Sequence, residues 1–183
     1  MQIKESEKII NCFLKEIKSF WQIIFLISFV CYAISFAHHF MANSLPIALS
    51  YFKTIDLISF AIAIILVFAI FFYKRKCFTL RAFRLLLLQL NKNNPDWDEK
   101  ELTIHFTRNL RNKMKTVWLM GGALVILGVI FYWLTFTTKN MHIYFVVGLY
   151  SIMMNYPRKD LFSDVPYMVH ESIKESREEE EFE

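Results

Sequence analysis

The chain has 183 residues, is 55% hydrophobic and 17% aromatic, and carries a formal net charge of +4. Soluble domains run roughly 45–50% apolar and about 25% charged, so a charged fraction of 21% and a mean hydropathy of +0.33 do not decide the class by themselves. The decision comes from the way apolar residues gather into runs, which excludes an ordinary soluble domain.

The N-terminal segment comes first. Ile10, Phe13, Leu14, Ile17, Phe20 and Trp21 recur at helical spacing, so residues 3–19 are predicted as an amphipathic helix leading into a first span. That span, Phe20 to Ala37, carries no charge. A hydrocarbon core of about 30 Å takes roughly 20 apolar residues at about 1.5 Å each. Ser35-Phe36-Ala37 resembles a signal-peptidase site, but the long, charge-balanced segment ahead of it argues for a retained span. The second span, Leu57 to Tyr73, is also uncharged and stops at Lys74, Arg75 and Lys76.

Residues 78–115 are predicted as a basic helical hairpin. Its first arm, Phe78 to Leu90, is too apolar to be left in water and is expected against a membrane surface or a neighbouring subunit. Asn93-Asn94-Pro95 breaks it, because proline lacks an N–H and restricts the residue before it. Asp96 and Glu99 have the spacing of a capping box. The second arm sets Leu102, Phe106, Leu110, Met114 and Val117 on one stripe and runs on into a third span, Thr116 to Thr138. A fourth span, Met141 to Tyr156, is short, reaching roughly 24 Å at about 1.5 Å per residue. Beyond Pro157 the chain carries nine acidic residues against four basic ones, and is expected to be a solvated, disordered acidic tail.

Orientation follows from Lys and Arg counts in the loops. Eleven lie between spans two and three and four precede span one, whereas the other side holds only Lys53 and Lys139. Both termini and the hairpin are therefore expected in the cytoplasm and Ser44 outside, in a membrane of the bacterial inner (plasma) type. Trp21, Tyr73 and Trp118 are placed as cytoplasmic interface anchors, with Tyr51 and Trp133 at the outer face.

The expected fold is thus an all-α integral membrane protein, one membrane domain of about four transmembrane helices with an N-terminal amphipathic helix and a cytoplasmic hairpin. Lipid tails are as apolar as leucine, so small residues that let backbones approach carry helix association inside a membrane. Ala33 and Ala37, Ser59 and Ala63, and Gly121 and Gly128 each share a helix face and are the predicted packing residues of spans one, two and three. Arg81, Arg84, Arg108, Arg111, Lys113 and Lys115 are the predicted contacts to an anionic inner leaflet.

No catalytic, cofactor or metal residues are assigned. Cys12, Cys31 and Cys77 lack CxxC spacing. His38, His39 and His142 cluster near the outer ends of spans one and four, but no carboxylate or thiol joins them in sequence, and adjacent residues point about 100° apart on a helix. No Asp, Glu, Lys or Arg lies within a span, which weakens the case for a proton-coupled carrier or pump. The expectation is a non-catalytic membrane protein without cofactor, acting through another membrane protein as an accessory subunit or immunity-type module. The alternative is a small homo-oligomeric pore. Membrane lipids are expected partners and nucleic acid is not.

Overall fold

The structure, a computed structural model, describes residues 2–42 and 51–181; Ser44 lies outside them. All regular structure among the described residues is helical: α1 (Gln2–Ala42), α2 (Phe52–Cys77), α3 (Leu80–Asn93), α4 (Glu99–Thr135), α5 (Thr138–Met154), a 3-10 turn (Lys159–Phe162) and α6 (Val165–Glu181). Three helices are long and apolar enough to cross a membrane, namely α1, α2 and α4. With 17 residues, α5 is shorter than these.

Local chemistry accounts for the breaks. Thr79 caps α3, its hydroxyl accepting from the Ala82 N–H at 3.2 Å. α3 ends at Asn93, just ahead of Pro95. The cap of α4 is Asp98 rather than Asp96, since the Asp98 carboxylate accepts from the Glu101 N–H at 2.7 Å. Glu99 therefore starts the helix instead of closing a capping box. Between α4 and α5 the chain reverses through Phe136, which sits at φ 53°, the left-handed position that ends many helices.

The chain forms two compact units. Unit one takes Met1–Ser19, Lys74–Met114 and Pro157–Glu183; unit two takes Phe20–Tyr73 and Lys115–Tyr156.

Unit one has a core of its own. From α1 come Ile10, Phe13, Leu14 and Ile17, from α3 Phe83 and Leu87, and from α4 Leu102, Phe106, Leu110 and Met114, all buried. The predicted stripes of α1 and α4 are thus both inside. The acidic tail departs from expectation. Phe162, Val165, Val169 and Ile173 are buried, and α6 packs on α3. Phe162 stacks on Phe83 at 6.2 Å and takes the edge of Phe13 at 5.7 Å. Each fully buried side chain of this size is worth about 1.5–3 kcal/mol, enough to order a segment whose other face is charged. The same packing covers the buried stripe of α3 with α6 of its own chain.

Polar links fix the register of unit one. Asn91 Nδ2 donates to the Ser172 carbonyl at 2.9 Å, and buried Glu99 meets His170 Nδ1 at 2.7 Å. At the surface, Lys100 pairs with Glu5 at 3.2 Å and Arg111 with Glu16 at 2.6 Å. Exposed pairs of this kind contribute little, about 0–1 kcal/mol.

Unit two gathers the C-terminal parts of α1 and α4 with α2 and α5. Half of the most apolar stretch of α4 is buried, against 17% for α1 and for α2. Helix α4 is therefore more covered than α1 and α2, which are equally open.

Candidate functional site

The four glycines of the chain all lie in unit two at contacts between helices. Gly121 of α4 faces Gly148 and Ile152 of α5, and Gly128 faces Met141 and Tyr144 of α5. The predicted α4 face is buried, but its partner is α5 and not spans one and two. The adjacent Gly122, which the sequence reading passed over, faces Ile24 and Ser28 of α1. Ser59 and Ala63 of α2 are buried, and Ala63 packs with Leu124 and Tyr144. Ala33 is half-buried and Ala37 exposed. Within unit two the buried small residues of α1 are instead Ser28 and Ser35, one of them already against Gly122. A three-way meeting of small faces is thus replaced by a close α4–α5 pair with α1 and α2 laid against it.

Where α1 and α4 end and α2 and α5 begin, polar and aromatic groups from all four helices converge. His38 Nδ1 and the Tyr132 hydroxyl are 2.9 Å apart, as are the Tyr32 hydroxyl and His142 Nδ1. Trp133 Nε1 donates to the Ser35 hydroxyl at 3.1 Å, which itself donates to the Cys31 carbonyl at 3.0 Å. The Ser59 and Tyr144 hydroxyls lie 3.2 Å apart, and Asn140 donates to the Asp56 carboxylate. Rings fill the gaps: Tyr32 stacks on Phe145 at 3.7 Å, and His38 lies 4.5 Å from Trp133. Of the sequence candidates here, His38 and His142 pair with different tyrosines. The His39 ring lies against Tyr132 at 6.1 Å, and its Nδ1 is buried with no hydrogen-bond partner among the described residues.

Chemically this is a set of interhelical ties. Ser35 uses its hydroxyl both to donate and to accept, so it is not poised as a nucleophile. Each paired imidazole meets a phenol and not a carboxylate, which is not the arrangement of a general base with its orienting partner. Among the described residues no three His, Cys, Asp or Glu side chains group as metal ligands.

Two tryptophans correct the expected interface belt. Trp118 is fully buried, its Nε1 donating to the Asn155 carbonyl at 2.9 Å; Trp21 is half-buried and donates to the Ile152 carbonyl at 2.9 Å. The last carbonyls of a helix have no intrahelical partner, and a buried indole N–H seeks an acceptor. Both tryptophans thus satisfy the C-terminal end of α5. That pairing is invisible in sequence, where they read only as aromatics near a span end.

The predicted lipid-facing cations have divided roles. Arg81 and Arg108 are exposed. Arg84 lies 3.9 Å from Glu171, and Arg111 is paired with Glu16. Lys113 is half-buried, and Lys115 sits 4.6 Å over the Phe20 ring, a cation–π contact within unit two.

No protein-family model, no curated protein and no solved structure matches the chain.

Proposed function

We propose that the chain is a non-catalytic four-span protein of a bacterial inner membrane that acts by associating with another membrane protein, as an accessory subunit or immunity-type module. The reading is carried by α2. Leu57, Phe60, Ile65, Phe68, Phe71 and Phe72 are each at least 55% exposed and share one broad face of the helix, away from buried Ser59, Ala63 and Ile70. Meanwhile the polar groups of unit two are largely satisfied by one another. The membrane part offers surface and not a reaction centre, and an open helix suits lateral association.

The composition of unit one supports four spans. Its core combines residues from before α2, between α2 and α4, and after α5. One water-soluble core cannot be shared across a bilayer, which supports an even number of crossings between Met114 and Pro157. If α4 crosses, α5 returns. Its 17 residues reach about 26 Å, a mismatch that local thinning accommodates. The Lys and Arg excess around unit one supports a cytoplasmic side for it.

The test is purification from the native membrane in mild detergent with crosslinking and mass spectrometry. A stoichiometric second membrane protein, crosslinked through α2, is the expected result. A homo-oligomer that conducts ions in liposomes would overturn the reading in favour of a pore.

A further inference from the structure

Helix α3 is apolar on two sides, and only one side is used by the core of unit one. Phe83, Leu87 and Asn91, at four-residue spacing, are buried. On the other side lie Leu85, 57% exposed, half-buried Leu88 and exposed Arg81, whereas Leu80, 53% exposed in the first turn, falls on the side of the buried stripe. Leucines left in water on a folded unit are unremarkable one at a time; here they alternate with cations. From Lys74 to Lys92 the chain carries six basic residues, Lys74, Arg75, Lys76, Arg81, Arg84 and Lys92, and no acidic residue. Arg75, Lys76, Arg81 and Lys92 are exposed and form no ion pair among the described residues. Two residues separate α3 from the end of α2, a helix apolar enough to cross a membrane. The face is therefore tethered where a bilayer surface would be.

We propose that the outward face of α3, with the Lys74–Lys76 run ahead of it, docks on an anionic lipid surface. Leu85 and the open edge of Leu88 enter the headgroup–acyl boundary, while Lys74, Arg75, Lys76 and Arg81 meet lipid phosphates. Clusters of four to eight basic residues beside a membrane span have this affinity for anionic leaflets, and a helix with leucines among its cations lies in the interface plane. The buried stripe under Phe83 and Leu87 holds α3 already folded, so docking requires no helix formation. This surface differs from the one read in the sequence. It drops Arg111 and Lys115, which have partners of their own, and adds the Lys74–Lys76 run. It is independent of which protein covers α2.

The experiment uses the full chain in nanodiscs, with a polarity-sensitive fluorophore at Leu85→Cys after replacement of the three native cysteines. In discs of phosphatidylcholine with about 30% phosphatidylglycerol the label is expected to shift to the blue and be quenched by lipid-borne nitroxides, as an anionic surface attracts the run. In pure phosphatidylcholine it stays in water. About 1 M salt, where the Debye length is about 3 Å, reverses the shift. Arg81→Glu combined with Lys76→Glu abolishes it, whereas Lys8→Glu with Lys15→Glu, the same charge change on exposed α1 positions, leaves it intact. Equal quenching in both lipids, or none in either, overturns the proposal. Shielding that persists in detergent and grows with protein concentration also overturns it, since the face would then be an interface between copies of the chain.

Discussion

Gly148 of α5 lies so close to Gly121 of α4 that a Cβ on Gly148 would stand 2.7 Å from the Gly121 carbonyl oxygen. The same Cβ would meet Val125 at 2.8 Å through its side chain and 3.2 Å through its backbone nitrogen. Backbone atoms cannot rotate away, so the two helices must part. Gly148→Ala should therefore destabilise the protein by about 1–3 kcal/mol, the range for overpacking a tight contact. Gly122→Ala is the control, because its Cβ would meet only the side chains of Ile24 and Ser28, at 3.4 and 3.5 Å. Thermal aggregation of both variants in one detergent checks this. Equal melting would mean that α4 and α5 do not approach through that face.

Helix α6 should behave as an integral part of unit one. Val169 is 0% exposed and Tyr167 is 63% exposed, two positions away on the same helix. Val169→Asp would place a carboxylate in an apolar site with no counter-charge built for it, a cost of several kcal/mol. Hydrogen exchange across 165–174 should rise sharply in that variant, with protease cutting near Ser163. Tyr167→Asp should match the parent chain. Rapid exchange of 165–174 already in the parent would show that α6 is not docked.

The legible parts of the fold were those where one periodic signal dominates. The stripes Ile10–Phe13–Leu14–Ile17 and Leu102–Phe106–Leu110–Met114 give burial directly, because a single helix face has only one way to leave water. The tail failed by the same logic. Its acidic excess outweighed the weaker pattern Phe162–Val165–Val169–Ile173, which predicts an amphipathic helix when read alone. Gly121 and Gly128 announced close packing but could not name α5 as the partner, since periodicity identifies a face and not what lies against it. The paired polar groups were least accessible. His38 and Tyr132 are 94 positions apart, Tyr32 and His142 are 110 apart, and neither spacing carries a motif.

Those two pairs make a measurable claim. Interhelical hydrogen bonds in membranes average about 0.6 kcal/mol in double-mutant cycles. A cycle built from Tyr132→Phe and His38→Ala should give a coupling of that order, and Tyr32→Phe with His142→Ala a similar one. A cross-cycle of Tyr132→Phe with His142→Ala should be additive, because neither residue bonds to the other. Stability is read by chemical unfolding in mixed micelles. Additivity within the His38–Tyr132 cycle would remove the proposed tie between α1 and α4.

The last prediction concerns sidedness, and it follows from the way unit one is assembled. Lys92 lies in the last turn of α3 and Ser163 precedes α6; both are exposed and both belong to the same compact unit. Lys139, exposed at the start of α5, belongs to the other. Because one core joins them, Lys92 and Ser163 are expected on one side of the membrane whichever way the protein is inserted. If α4 crosses, Lys139 lies opposite. On the orientation proposed above from the basic excess, the shared side is the cytoplasm. Single-cysteine variants at the three positions, labelled in intact cells with an impermeant maleimide, separate these steps. Labelling at 139 alone is expected. Labelling at 92 and 163 but not 139 would invert the orientation while leaving four spans. Labelling at 139 and 163 together would put α6 outside, breaking the unit one core and reducing α5 to a helix that does not cross.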